Sequence, residues 1–184
     1  KSILIAIFVH IAQQASCINA VITYSNGILD KNSDGSSAQQ RTFCIGLFSL
    51  VVTCGASFII ESVGRKVLLQ LSIAIVIASL WMLIKKYSAF SALLLFQFGF
   101  SFGLGPITWL LTNEIFPVEY QAIAAPLCST INWFLATITV LFFEDWLHKY
   151  GMHILYGNIS CLFIIACALQ ILLAETRGQD AKFQ

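Results

Sequence analysis

Long apolar runs constrain this chain more than any other feature. Six can be drawn, at about 3–25, 42–60, 67–84, 89–112, 122–143 and 153–174, each of 18 or more residues with few or no charges. A helix needs roughly 20 mainly apolar residues to cross bilayer hydrocarbon. Outer-membrane strands would be about half as long and would alternate polar with apolar. The composition agrees: 58% of the 184 residues are hydrophobic and 10% are charged. Soluble domains have about 45–50% and about 25%. The expected class is all-α and integral to the membrane, with six transmembrane helices.

The charged residues exclude more than they assign. The net charge of +1 gives no basic surface for nucleic acid. Cys17, Cys44, Cys54, Cys128, Cys161 and Cys167 all lie inside apolar runs, without metal-ligand spacing. They read as small buried hydrophobes, and no metal or cofactor is expected. An even number of spans puts both termini on one side. Lys1, Arg65, Lys66, Arg177 and Lys182 fall on that side, and Lys31, Arg41, Lys85, Lys86 and Lys149 on the other. The cytoplasmic excess of Lys and Arg that orients many membrane proteins therefore gives no answer. The chain lacks an initiator Met and starts at a helix edge, as a fragment would.

The first run holds three carboxamides, Gln13, Gln14 and Asn19. Carboxamides in hydrocarbon are costly unless hydrogen-bonded. Each offers both donors and acceptors, which suits a ligand covered in hydroxyls. On a straight helix, Asn19 would stand about 140° around the axis from Gln14. One straight helix cannot aim all three at one point. Ala15, Ser16 and Cys17 between them are small, and a helix could loosen there. Broken helices near the midplane build substrate sites in many transporters. The same amides would also serve simply to bind helices together.

Other stretches carry the same two-sided reading. Glu61-Ser62-Val63-Gly64-Arg65-Lys66 packs charge into a tight turn, and Arg65 has a natural partner in Glu114. Gly103-Leu104-Gly105-Pro106-Ile107-Thr108-Trp109 opposes a straight helix at Pro106 and presents an indole face on which a sugar ring could stack. Asn132-Trp133 repeats the pairing of amide and indole. His10, one turn before Gln13, reads as a hydrogen-bonded packing residue. Asn158-Ile159-Ser160 matches a glycosylation acceptor but lies within a span, so it reads as a chance match. An intramembrane enzyme would need a Ser near a His. His10, His148 and His153 lie at span ends or in loops, outside any G-x-S-x-G context, so no enzyme is expected.

Taken together, these stretches resemble the sugar porter family of the major facilitator superfamily, which includes the facilitative glucose transporters. Residues 13–20 look like its QQxSGINA, 61–66 like ExxGRR, and 103–109 like GPGPIPW followed by Glu114-Ile115-Phe116-Pro117. Asn132-Trp133 matches the NW of the eleventh helix, and 174–178 look like PETKG. The order and spacing hold over essentially the whole chain. The resemblance implies that residues 1–184 are the C-terminal six-helix half of a twelve-helix fold, with both termini cytoplasmic and the plasma membrane as location. Its partner is the N-terminal half, and the function is transport of hexoses by alternating access. A sugar-sensing, transceptor-like protein with little transport is the alternative.

By motif position, Gln13, Gln14, Asn19, Trp109 and Asn132 would contact the sugar, and Tyr24 would belong to the outer gate. Glu61, Arg65 and Glu114 would form a cytoplasmic ion-pair network. Several positions depart from the pattern. Cys17 replaces a glycine and should stiffen the expected break. A break would turn its thiol toward the aqueous pathway, whereas a continuous helix would leave it in packing. Thr23, Ser49 and Ser101 stand where Tyr, Asn and Glu are common. Leu104 and Thr108 replace two prolines, so the fourth span should bend less. Gln121 replaces an Arg, which removes a cation from the network, and Ala174 replaces a Pro. His10-Ile11-Ala12 stands where glucose-preferring members have Gln-Leu-Ser, which hints at broader hexose acceptance, fructose included.

Overall fold

A computed structural model of the chain describes residues 2–30 and 38–173, and no strand occurs among them. The elements are α1 (Ser2–Ala15), α2 (Ile18–Asp30), α3 (Ala38–Val63), α4 (Arg65–Ile84) and α5 (Ala89–Gly99). A π-helical segment (Phe100–Leu104), α6 (Gly105–Glu114), α7 (Val118–Tyr150), a 3-10 turn (Gly151–His153) and α8 (Ile154–Leu172) follow. Hydrocarbon offers backbone groups no water, so apolar segments must satisfy them internally, as helices do.

Five continuous segments among the described residues are long and apolar enough to span a membrane: Ser2–Ser25, Ala38–Ile60, Arg65–Ile84, Ala89–Glu114 and Val118–Leu172. The last has 55 residues and holds two helices, joined through Gly151 at φ 60. Contacts fix the directions. Gln14 meets Asn132 and Tyr24 meets Phe143, so α1–α2 run parallel to α7. His10 meets Thr112 and Gln13 meets Leu104, so α1 opposes α6. Arg65 meets Glu114 and Ser72 meets Gly99, so α4 opposes the α5–α6 unit. Lys66 meets Gln170 and Trp81 meets Tyr156, so α8 opposes α4 and thus α7. Arg41 lies over Phe90 and Ser49 meets Gln97, so α3 runs with α5. Among the described residues, the chain therefore makes six helical passes through the bundle in alternating directions.

The helices outrun the apolar runs. The polar stretch between the first two apolar runs is helical to Asp30 and again from Ala38, and α7 extends beyond 122–143 at both ends. Hydropathy marks the hydrocarbon boundary, but backbone hydrogen bonds carry a helix on into polar surroundings. The turn between α3 and α4 is abrupt. Gly64 sits at φ 99, where a side chain would be strained.

The core lies where α1, α4, α5 and α8 meet, with Val9, Leu69, Phe96 and Leu162 fully buried. In their most apolar stretches, 67% of the residues are buried in the first segment and only 17% in Ala38–Ile60 of α3. The carboxamide-bearing helix is thus central, and α3 peripheral.

Candidate polar site at the broken helix

The first crossing is broken where the small residues stand. α1 ends at Ala15 and α2 begins at Ile18. Cys17 takes a left-handed backbone, φ 65, despite its side chain. The Cys17 amide closes a short turn onto Gln14 O at 3.0 Å, and Ser16 Oγ donates to Gln13 O at 2.6 Å. This turn re-aims α2, so that Asn19 Nδ2 donates to Gln14 Oε1 at 2.7 Å. The two amides that a straight helix would hold apart now touch.

From Gln14 the chain of bonds crosses to α7. Gln14 Nε2 donates to Asn132 Oδ1 at 2.9 Å. Asn132 Nδ2 donates to Gln13 Oε1 at 2.7 Å and meets His10 Nδ1 at 3.0 Å. Gln13 Nε2 then donates to Gly105 O at 3.3 Å and to Leu104 O at 3.5 Å. On the other branch, His10 Nε2 lies 3.0 Å from Thr112 Oγ1. Thr112 Oγ1 already donates its proton to Thr108 O at 2.8 Å. It must therefore accept from His10, which fixes a neutral imidazole with its proton on Nε2 and Nδ1 accepting from Asn132. Gln13, Gln14 and Asn132 are 5%, 7% and 3% exposed and His10 is fully buried. Every buried amide in the cluster is paired, as burial demands.

The network opens at its edges. Asn19 is half-buried and, among the described residues, makes a single side-chain hydrogen bond. Trp109 on α6 packs edge-on against His10, with ring centroids 5.2 Å apart, and stays 38% exposed. Gln13, Gln14, Asn19, Trp109 and Asn132 are thus brought together, joined by His10 and Thr112. The polar character of Thr112 gave no signal in the sequence, because threonines in spans commonly bond back to their own helix.

A second polar group lies between α3 and the π segment. Gln97 Nε2 donates to Ser49 Oγ at 2.7 Å and to Ser101 Oγ at 3.0 Å, and the two hydroxyls are 2.8 Å apart. The departures at 49 and 101 are therefore one feature. The fourth crossing, expected to bend less with Leu104 and Thr108, holds a backbone irregularity that the sequence does not mark. Its π-helical segment supplies the irregularity, next to Pro106 at the start of α6.

At opposite ends of the bundle lie the remaining positions. Arg65, the first residue of α4, grips Glu114, the last of α6, through Nε at 3.2 Å and Nη2 at 2.8 Å. This is the two-pronged geometry that suits a guanidinium and a carboxylate. Gln121 donates to Asn113 O at 2.8 Å and Phe116 O at 3.0 Å, so it ties down the loop between α6 and α7 without adding charge. The side chain of Glu61 and residues 174–184 lie outside the described residues. Tyr24 is half-buried at the other end, stacks on Phe143 at 5.6 Å and donates to Val140 O at 3.4 Å. Cys17 is buried, and Asn158 on α8 donates to its Sγ. The expectation that a break would turn this thiol toward water is corrected, because the left-handed turn points Sγ into α8.

The profile of the family described as "Sugar (and other) transporter" matches residues 1–182. The facilitated trehalose transporter Tret1 of Apis mellifera ligustica is 31% identical, over 98% of this chain and 39% of that protein. Sugar transporter ERD6-like 6 of Arabidopsis thaliana is 27% identical, over 96% of this chain and 40% of that protein. Among solved structures, the proton:xylose symporter XylE bound to 6-bromo-6-deoxy-D-glucose superposes with TM-score 0.76 at 25% identity. That match covers 96% of this chain and 40% of the symporter. A double-tryptophan mutant of XylE gives TM-score 0.82 at 23% identity, a likeness of fold. The chain spans about two-fifths of the length of these proteins.

Proposed function

The chain belongs to the sugar (and other) transporter family of integral, multi-pass membrane proteins, and from that membership we propose that residues 1–184 are the C-terminal six-helix half of a twelve-helix hexose carrier. The carrier works by alternating access, with the sugar held between this half and an N-terminal half. One observation supports the reading above the others: Gln13, Gln14, Asn19 and Asn132 converge on a helix break in the most buried crossing. Neutral amides exchange hydrogen bonds readily with hydroxyls, and no charge has to be desolvated. Sugar enters at Asn19 and Trp109, the open edge. Its hydroxyls then take over bonds that the amides make to one another, as between Gln14 Oε1 and Asn19 Nδ2.

The two ends divide the remaining roles. Tyr24 with Phe143 belongs to the outer gate. Arg65 with Glu114, joined by Glu61, forms the cytoplasmic latch of the outward-open state. That orientation puts both termini in the cytoplasm of a plasma-membrane protein. Glucose-like hexoses and fructose are the substrates proposed. Relatives named for trehalose and xylose make a disaccharide and a pentose the competing choices.

The test is sugar uptake by the full-length protein. Gln14→Ala and Asn19→Ala lower hexose uptake several-fold while the protein stays in the membrane, because a buried hydrogen bond is worth about 1 kcal/mol or more. Unchanged kinetics in both variants overturn the site. Uptake of trehalose or xylose without hexose overturns the substrate class. Saturable hexose binding without flux indicates a sensor.

A further inference from the structure

Gln13, and with it the whole amide network, is seated on two backbone carbonyls, Leu104 O and Gly105 O. Both lie where the π segment meets α6. In a π register the amide of residue i pairs with the carbonyl of i−5. Gly105 does so, reaching Phe100 O. The preceding pair is Leu104 with Gly99, and a side chain from another helix bonds to both of its members. Leu104 N–H donates to Ser72 Oγ at 2.7 Å, and Ser72 Oγ donates to Gly99 O at 2.6 Å. A hydroxyl from α4 thus bridges the two ends of one rung in the fourth crossing.

Ser72 departs from what hydroxyls in this chain usually do. Ser79, Thr53, Thr137 and Ser160 each donate to a carbonyl three or four residues back on their own helix. That is the ordinary way to satisfy a hydroxyl in hydrocarbon. Fully buried Ser72 bonds across the interface, with both partners on the same neighbouring segment. The packing there leaves no room for side chains. A Cβ on Gly103 would stand 2.6 Å from Ser72 Cβ and 2.9 Å from Leu68 O. One on Gly99 would stand 2.7 Å from Ile75 Cγ2. Two glycines four residues apart let helices approach this closely.

We propose that Ser72 is a positioning residue for the sugar site: its hydroxyl, bonded to both Gly99 O and Leu104 N–H, holds the π segment in the register that presents Leu104 O and Gly105 O to Gln13. The inference rests on the sugar-carrier reading for the site it serves. Ser72 acts on the ligand through two intervening residues, Leu104 and Gln13, and its influence passes through carbonyls. The same segment carries Ser101, so the bridge also fixes the hydroxyl pair with Ser49.

A double-mutant cycle in the full-length protein tests this, with Ser72→Ala, Gln13→Ala and the pair. The readouts are the glucose concentration giving half-maximal uptake and deuterium exchange over residues 99–105. Ser72→Ala is expected to raise the half-saturating concentration several-fold and to speed exchange of the Leu104 amide. In the Gln13→Ala background, the added effect of Ser72→Ala falls below about twofold, because coupled residues are non-additive. A packing role alone gives additive losses, and that result overturns the proposal. So does unchanged exchange over 99–105, or unaltered uptake in Ser72→Ala when Gln13→Ala is impaired. If Gln13→Ala is itself silent, the sugar site is refuted, and the role of Ser72 in it falls for that separate reason. Should Ser72→Ala fail to reach the membrane, Ser72→Cys keeps the volume, weakens the bridge and is read through the same cycle.

Discussion

Cys17 holds a backbone conformation that costs a non-glycine residue about 1–3 kcal/mol, and its surroundings must impose it. The φ of 65 is matched by the Asn158 amide on α8, which donates to Sγ. Glycine would relieve the backbone but lose that bond and add disorder to the unfolded chain. Cys17→Gly is therefore expected within about 1 kcal/mol of the parent stability. Cys17→Val forces a β-branched side chain into the left-handed region and should lower stability by more than about 1 kcal/mol. Thermal unfolding in detergent measures both, and equal midpoints for Gly and Val would show that the break is unstrained. At this scale the sequence was partly legible. The amides and the loosening between them were visible, because polar residues in an apolar run stand out. Asn158 was not, because nothing local distinguishes an amide that meets a distant thiol from one that meets solvent. Serine at 72 was equally silent, since its two bonds belong to a segment 27 and 32 residues away.

Helix ends and interruptions carry the geometry that the residues need. Arg65 opens α4 and Glu114 closes α6, so their bond ties two crossings at one rim. Glu114 is 35% exposed and Arg65 14%, so water weakens the attraction, and the forked geometry contributes more than the charge. Arg65→Lys keeps the charge and loses the fork. If the pair latches one state of the carrier, Arg65→Ala should shift the population inward and Arg65→Lys should do so partially. Binding of a conformation-selective inhibitor reports the shift, and binding unchanged in Arg65→Ala would remove the latch. The pairing of Arg65 with Glu114 was legible, because few opposite charges stand at that rim. The π segment was not. Nothing local in residues 99–105 marks a π register, and the contacts that accompany it, α4 packed close against Gly99 and Gly103, come from a distant part of the chain.

Over the whole molecule, the open polar edge bears on the proposed second half more than the exposed apolar surface does. Phe43, Leu47, Leu50, Val51 and Phe58 on α3 are exposed, as are Ile123, Leu127, Trp133 and Phe134 on α7. Lipid accounts for apolar surface in a membrane protein, but it does not account for the open edge at Asn19 and Trp109. A sugar held there alone would have protein on one side only. Alternating access needs a second body, against which this one rocks so that the site faces each side in turn. The helices packed around the main core are expected to move together, because a close-packed interior resists deformation. The chain reconstituted alone in liposomes is therefore expected to insert and to show no saturable hexose flux. Joined to an N-terminal half from the full-length protein, it should regain flux that Asn19→Ala reduces. Saturable uptake by the 184-residue chain alone, competed by unlabelled hexose, would mean that it needs no second half. The amide network would then have to open and close within these helices.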